Sequence, residues 1–393
     1  LYEVTRRFYG PLSSKVKSIG VTGTNGKTTI TYLIESILHE AGKTCGVMGT
    51  VNYRIGKKIL PSKNTTPGLV ENQQFLAKLA EKNIEYCVME VSSHGLDQGR
   101  VGLIDFKSAV FTNLTSDHLD YHRTRENYFL AKARLFTNLS PRAVSVINID
   151  DPYGAKLVSM TKSRVVKYGI SGEADICAKD IKTSVLESHF TVCANGQSIE
   201  VRTKLIGLHN VYNILAAVGV CFNEGIALET IRRGIARLEH VPGRLDRIES
   251  PKGFAVFIDY AHTEDALKNV LEALRKIGPR RIITVFGCGG DRDKTKRPKM
   301  GRVAGHLSDV VIVTNDNPRS EDPQSIISGI ILGFSTDNYQ VVGDREKAIQ
   351  TAIAMAGAGD IVLIAGKGHE DYQIFKDRTI AFDERAIVKK YLK

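Results

Sequence analysis

The sequence predicts an α/β protein with largely parallel sheets, arranged as two successive domains. Three observations carry that expectation. Apolar runs bounded by glycines alternate with helical patterns along most of the 393 residues. Runs such as Ile282–Phe286 and Ile361–Ala365 are apolar and end in polar loops bearing glycine or proline, the mark of buried strands. Between two such repeats lies Val241-Pro242-Gly243, which places a domain boundary near residue 242.

Ile19–Thr22 reads as a short strand. After it, Ile30, Leu33, Ile34, Ile37, Leu38 and Ala41 fall at the spacing of one apolar helix face, and Gly42 stops the helix as a C-cap. Further strands read at Tyr86–Glu90, Ala109–Asn113 and Ala143–Ile149. Residues 165–205 look different: short alternating segments, Ser188–Cys193 and Ser198–Leu205, flank Asn195-Gly196, so an antiparallel excursion with a hairpin is expected. Past residue 242, strands read at Ala255–Asp259, Ile282–Phe286, Val310–Thr314 and Ile361–Ala365. In doubly wound sheets, ligands bind at the carboxyl ends of such strands.

Composition narrows the function classes. Hydrophobic residues at 42% and charged residues at 25% exclude a disordered, collagenous or disulfide-scaffold chain. No apolar run approaches the ~18 residues that span a bilayer, and nothing at the start resembles a signal peptide. The six cysteines (Cys45, Cys87, Cys177, Cys193, Cys221, Cys288) form no CxxC pair and read as reduced thiols of a cytoplasmic protein. The net charge of +11 suits anionic ligands such as nucleotides; scattered along the chain, it argues against a nucleic-acid surface.

Thr22-Gly23-Thr24-Asn25-Gly26-Lys27-Thr28-Thr29 joins a strand to a helix and reads as a phosphate-binding loop. Its glycines let backbone N–H groups turn toward a polyphosphate, and the helix N-terminus adds its positive end. Lys27 would lie on the β- and γ-phosphates and the Thr28 hydroxyl on Mg²⁺. Val21 stands where the strict pattern has its first glycine; the alternative is a glycine-rich turn with a chance Gly-Lys-Thr. Glu90 ends an apolar strand and either completes a Mg²⁺ shell or is a solvated strand-end glutamate. His118 and His122 stand four apart, but with no third His or Cys nearby they read as a capped helix start with a surface histidine, not a zinc site. Lys132, on a helix with Phe129, Ala131, Ala133 and Leu135, would ordinarily snorkel to solvent.

In the second half, Asp291–Arg297 reads as a solvated basic loop or a nucleic-acid patch. Asp316-Asn317-Pro318-Arg319 and Gly366-Lys367-Gly368-His369-Glu370 each end a buried strand. Opposite charges gathered there suggest a zwitterionic ligand, with arginines for its carboxylate and acids for its ammonium.

In combination, these segments resemble the Mur ligases over nearly all of the chain. The resemblance rests on VTGTNGKTT at 21–29, NTTP at 64–67, MEVSSHGL at 89–96, SDHLDYH at 116–122, AK at 131–132, GLHNVYN at 207–213, DYAHT at 259–263, FGCGGDRDKTKRP at 286–298, DNPR at 316–319 and GKGHEDYQ at 366–373. It implies a P-loop central ATP-binding domain with mainly parallel sheet at 18–242 and a Rossmann-like amino-acid-binding domain at 243–393. It further implies an ATP-dependent amide ligase of peptidoglycan synthesis, serving cell-wall growth, cell shape and cell division. Such a ligase would work as a cytoplasmic monomer without nucleic-acid or membrane partners. The intact DNPR points to the branch that adds meso-2,6-diaminopimelate to UDP-N-acetylmuramoyl-L-alanyl-D-glutamate. A lysine-adding ligase is the nearest alternative, and a non-catalytic scaffold that keeps the fold is the alternative from another class.

The family phosphorylates the D-glutamyl carboxylate with ATP, and the incoming amine then displaces phosphate. By resemblance, Lys27 holds the transferring phosphoryl group, Thr28 with Glu90 holds one Mg²⁺, and His118 the second. Lys132 matches a carbamylated lysine, an amine that has taken up CO₂ to become an anionic metal ligand; this role displaces the snorkelling reading. Gly23, Thr24, Asn25, Gly26 and Thr29 complete the ATP cradle. Asn210 and Asn213 match residues near the adenine, while Arg244 and Asp259 reach the nucleotide on domain closure. Thr65, Thr66, Ser92, Gln98 and Arg100, with Lys132, match contacts to the muramyl dipeptide. Arg292, Asp316, Asn317, Arg319, Gly366 and Glu370 match the diaminopimelate site. Two departures stand out. Glu264 replaces the proline of DYAHTPD, expected as a minor change in a surface turn. The family's N-terminal UDP-binding domain is not seen, and residues 1–17 look like its last helix and linker.

Overall fold

The computed structural model, which describes residues 1–115 and 117–393, divides the chain into two units, Leu1–Glu239 and His240–Lys393. In the first, a helix at Tyr2–Ser13 precedes the strands β1 (Lys17–Thr22), β2 (Cys45–Met48), β3 (Asn52–Ile55), β4 (Lys58–Pro61), β5 (Tyr86–Glu90), β6 (Phe106–Phe111), β7 (Val144–Asn148), β8 (Arg164–Gly169), β9 (Ile176–Thr183), β10 (Ser188–Ala194) and β11 (Gln197–Thr203). They form one sheet in the order β11-β10-β9-β8-β7-β6-β1-β5-β2-β3-β4. From β9 to β2 each neighbouring pair is parallel, whereas β9-β10-β11 and β2-β3-β4 are antiparallel.

Ile19, Val21, Cys87, Val88 and Met89 on the central strands are fully enclosed, because helices cover both faces of the parallel part. The helix Lys27–Glu40 buries Ile30, Leu33, Ile34, Ile37 and Leu38 completely. It ends as its sequence foretells: Gly42 takes φ +72°, and Lys43 N donates back to Leu38 O at 2.8 Å. Its start lies earlier than the apolar spacing shows, at Lys27, because polar threonines fill the first turn.

The second unit holds β12 (Asp246–Glu249), β13 (Ala255–Asp259), β14 (Ile282–Phe286), β15 (Val310–Val313), β16 (Tyr339–Val341) and β17 (Ile361–Ala365) in the order β12-β13-β17-β14-β15-β16. Only the edge strand β12 runs antiparallel. Val256, Ile283, Val285, Ile312, Val362 and Ile364 form its core with Ala348 and Ile349 of the helix Arg345–Met355. A separate hairpin pairs β18 (Tyr372–Ile374) with β19 (Thr379–Ala381). β17, last in sequence among the parallel strands, inserts between β13 and β14, so the loops after β14, β15 and β17 meet at one end of the sheet.

Two expectations need correction. The antiparallel excursion begins only at β9-β10; β8 extends the parallel sheet, reached through the short helix Pro152–Val158. Asn195-Gly196 does close a two-residue hairpin, with φ of +45° and +77°. Glu264 is not in a turn: it is the first residue of the helix Glu264–Lys276, capped by Thr263 Oγ1 accepting from Ala266 N. Proline favours that same position, which explains the exchange, and an acid there suits the helix dipole.

Candidate active site

β1 ends at Thr22, and the chain turns through Gly23 (φ +142°) and Gly26 (φ +91°) into the helix Lys27–Glu40. Neither glycine has room for a side chain: a Cβ on Gly23 would overlap Thr112 Oγ1, and one on Gly26 would overlap Asn213 Oδ1. The loop is tied to the segment beyond β6. Thr24 N and Asn25 N donate to the backbone oxygen and Oδ1 of Asn113 at 2.8 and 3.0 Å, and Thr112 Oγ1 donates to Asn25 O at 2.6 Å. These bonds explain why the strand expected at 109–113 stops at Phe111. Asn213 Nδ2 donates to Asn210 Oδ1 at 3.0 Å, and Asn210 Nδ2 to Ile206 O, which holds both asparagines at the loop.

Lys27 Nζ donates to Gly23 O at 3.0 Å and Thr24 O at 2.7 Å. Lys132 Nζ reaches the same Gly23 oxygen at 2.8 Å from the helix Arg125–Thr137. Lys132 is 1% exposed and lies over the Tyr128 ring, so it does not snorkel. Burial, with the Lys27 charge behind it, holds its amine well below the usual lysine range. Thr28 Oγ1 donates to Glu90 Oε1 at 3.0 Å. Glu90 is also buried, and Thr50 donates to it through N at 2.8 Å and Oγ1 at 2.9 Å. The solvated strand-end alternative is thereby removed.

His118 sits at the left-handed N-cap (φ +53°) of a one-turn helix, Leu119–His122, so the two histidines do not lie along a continuous helix. Partial desolvation, with His94, Lys27 and Lys132 adding positive charge, pushes the His118 imidazole down to about 4 against the pull of Asp117. His122 is buried, its Nε2 2.9 Å from Ser93 Oγ, and it is not a surface histidine. Ser116, the first residue of the SDHLDYH motif, lies outside the described residues. A hydroxyl and a carboxylate at Thr28 and Glu90 are hard oxygen donors, and Mg²⁺ is held by such a small protein set together with substrate phosphates. The donor chemistry therefore fits Mg²⁺.

A hydrogen-bonded path connects this loop to the residues matched to the muramyl dipeptide. Arg100 Nη1 donates to Thr66 O at 2.8 Å, and Thr66 Oγ1 donates to Glu90 O at 2.9 Å while accepting from Ser92 N. Thr65 Oγ1 lies 3.0 Å from Thr50 Oγ1. Gln98 Oε1 accepts from Arg100, and Ser92 Oγ caps the helix Ser93–Asp97. Thr66 and Ser92 are thus held as scaffold, whereas Gln98 is exposed and Arg100 half-buried.

In the second unit, Asp259 Oδ2 and Oδ1 accept from Leu245 N and Ala261 N at 2.7 and 2.8 Å, and the Arg244 guanidinium stacks 5.1 Å from the Tyr260 ring. Burial raises the Asp259 carboxyl above its ordinary range, with Arg244 opposing. The charged strand ends converge. Arg319, at φ +54°, donates through its backbone N–H to Ile374 O and through Nη1 to Gly290 O at 2.8 Å. Asn317 Nδ2 donates to Glu370 Oε2 at 2.9 Å, and Gly366 (φ +119°) leaves room for the Asp316 carboxylate. Arg292 is exposed and donates to Asp291 O. The run Asp291–Arg297 is not simply solvated: Arg297 is buried against Glu321, which also accepts from Asp291 N and Lys294.

Thr50, Asn113, Tyr128, Tyr260 and Lys367 were not singled out from the sequence. Asn113 carried a signal as a polar residue ending an apolar strand, and Lys367 as part of the charged run 366–370; the others act through contacts across 15 or more residues.

Family models describe both halves of the chain: "Mur ligase middle domain" matches residues 21–221 and "Mur ligase, glutamate ligase domain" matches 243–368. The chain is 47% identical over 388 residues to the UDP-N-acetylmuramoyl-L-alanyl-D-glutamate–2,6-diaminopimelate ligase 1 of Clostridium acetobutylicum, spanning 98% of this chain and 80% of that protein. A solved structure of a ligase of that name is similar at TM-score 0.70 and 37% identity, over 96% of this chain and 78% of that one. A MurF ligase from Thermotoga maritima in complex with ADP shares the fold at TM-score 0.72 and 19% identity, over 99% and 82%. Matched in both domains and along almost its whole length, the chain belongs to the Mur ligase family.

Proposed function

We propose that this chain is an ATP-dependent amide ligase that joins meso-2,6-diaminopimelate to the D-glutamyl carboxylate of UDP-N-acetylmuramoyl-L-alanyl-D-glutamate. The observation that carries this reading is the meeting of Lys27, Lys132 and the Thr28–Glu90 pair at one glycine loop on a helix N-terminus. The likeness to relatives named for that reaction supplies the substrates.

Glycine-loop N–H groups and the helix end receive the ATP phosphates. Lys27 leaves the Gly23 and Thr24 carbonyls to follow the phosphoryl group as it moves to the substrate carboxylate. When bound at Thr28, Glu90, His118 and a carbamylated Lys132, Mg²⁺ would neutralise the triphosphate and the carboxylate so that two anions can approach. Lys132 suits carbamylation because its amine is buried and held well below the usual lysine range, which favours the neutral form that adds CO₂. His118, held neutral, keeps an imidazole lone pair available for a metal. Transfer gives an acyl phosphate and ADP. The neutral α-amine of the amino acid attacks that carbonyl; the C–N bond forms as the acyl C–O bond breaks, phosphate leaves with that electron pair, and the nitrogen's proton passes to phosphate or solvent.

Arg319 and Arg292 would face the distal carboxylate of diaminopimelate, and Asp316 and Glu370 its distal ammonium. Asn317 would line the same site and Asp259 the nucleotide's, each side chain fixed by its protein partners. No helix among the described residues is long and apolar enough to cross a membrane, and a cytoplasmic monomer drawing on ATP is the setting proposed.

An isotope-transfer experiment tests the acyl phosphate. With ¹⁸O in the D-glutamyl γ-carboxylate, released phosphate should carry one ¹⁸O; phosphate without label would refute the intermediate.

A further inference from the structure

We infer that Lys367 is a positioning residue for the amino-acid substrate, its enclosed ammonium holding Glu370 and Asn317 so that Glu370 can present its second oxygen to the substrate ammonium. The inference rests on the proposed function, since it assigns how one of that site's acids is held. Lys367 follows β17 and has no side-chain exposure, which is unusual for lysine. The glycines on either side turn it inward. Gly366 (φ +119°) and Gly368 (φ +57°) take conformations that other residues rarely adopt, and a Cβ there would press on Asp316 Oδ2 and Tyr260 respectively.

Inside, Lys367 Nζ donates to Asn317 Oδ1 at 3.0 Å and lies 3.4 Å from Glu370 Oε2. Ile374 N donates to the same Asn317 oxygen at 3.0 Å, which sets the amide so that its Nδ2 donates to Glu370 Oε2 at 2.9 Å. A flipped amide would set its NH₂ against two donors. Glu370 Oε2 is thus held by a cation and an amide, while Oε1 has the looser Tyr260 hydroxyl at 3.5 Å. Lys367 ties the loops after β15 and β17 together at the point where opposite charges gather.

The test is steady-state kinetics of Lys367→Met, with each substrate varied in turn. A ten-fold or greater rise in the diaminopimelate KM is expected, with the ATP and muramyl-dipeptide KM values within two-fold and kcat within three-fold. Because Lys367 acts through Glu370, adding Lys367→Met to Glu370→Gln should change the diaminopimelate KM by less than two-fold further. Parallel rises in all three KM values, or full additivity in the double variant, would overturn the inference. Should Lys367→Met melt below the assay temperature, Lys367→Gln, which keeps a donor for Asn317, takes its place. If both fail to fold while Glu370→Gln folds normally, Lys367 serves the fold alone and the inference is wrong. Absence of diaminopimelate-dependent turnover in the unaltered protein is a different failure, that of the proposed function itself.

Discussion

Lys27 and Lys132 donate to one acceptor, the Gly23 carbonyl oxygen, at 3.0 and 2.8 Å. Two ammonium groups on a single oxygen repel, and the enclosed one yields: Lys132 is held well below its ordinary range by burial and then by Lys27. The pair therefore divides the work: Lys27 supplies the cation for phosphate, and at Lys132 the balance moves toward the neutral amine.

That division makes the Lys132 variants informative. Lys132→Ala and Lys132→Arg should both lose at least ~100-fold in kcat, since neither can be carbamylated. Arginine carries a fixed positive charge, so an active Lys132→Arg would show that a cation suffices at this position. Thermal melting alongside the phosphate-release rate separates lost chemistry from lost fold.

Gly49 offers an indirect route to Glu90. A Cβ at position 49 would overlap Glu90 Oε1, the oxygen that accepts from Thr28 and Thr50 N. Gly49→Ala should displace that carboxylate, cost about 1–3 kcal/mol by overpacking, and raise the Mg²⁺ concentration for half-maximal rate. Glu90→Gln should raise the same Mg²⁺ requirement. A normal Mg²⁺ titration in both variants would remove Glu90 from the metal site.

How far the sequence discloses this site depends on the range of the contacts. The phosphate loop was legible because strand, glycines, lysine and helix are contiguous, and Gly42 and Asn195-Gly196 were legible because turn chemistry is local. Lys132 was not: its helix neighbours alone predict a solvent-facing lysine, and only the resemblance reversed that. Its burial comes from Gly23, 109 residues away, and from the Tyr128 ring. The end of β6 was misplaced for the same reason, because Thr112 and Asn113 leave the sheet to bond Asn25. Lys367 looked like part of a charged loop until the fold enclosed it.

Selectivity for the amino acid follows from Arg319. Its backbone, bonded to Ile374 O, and its Nη1, bonded to Gly290 O, hold the guanidinium beside the glycines after β14. Lysine lacks the distal carboxylate and would leave guanidinium donors unpaired, at about 1.5–3 kcal/mol each. Discrimination on the order of 10³–10⁵ in kcat/KM is expected. Arg319→Ala should raise the diaminopimelate KM far more than that of lysine and narrow the ratio, whereas Asp316→Ala should weaken both about equally. An unchanged ratio in Arg319→Ala would break the assignment.

Acid should loosen the segment carrying Arg292. Hydrogen bonding from Arg297 holds the Glu321 carboxyl down to about 2, below its ordinary value of 4.5. A carboxylate lowered on folding stabilises fully above its unfolded pKa, and that contribution fades as pH falls from about 4.5 toward 2. Urea unfolding at pH 6 and pH 3 should show wild type more stable than Glu321→Gln at pH 6, with the gap smaller at pH 3. A gap that widens toward pH 3 would contradict the pairing.

The most direct measurement is coupled detection of phosphate and UDP-muramyl tripeptide from ATP, UDP-N-acetylmuramoyl-L-alanyl-D-glutamate and meso-2,6-diaminopimelate. Phosphate should appear only with all three substrates present, one per tripeptide formed. Lys27→Ala should lower the rate at least ~1,000-fold without changing the melting temperature. Phosphate release that ignores the amino acid, tripeptide formation as fast with lysine, or a fully active Lys27→Ala would contradict a diaminopimelate ligase built on this loop.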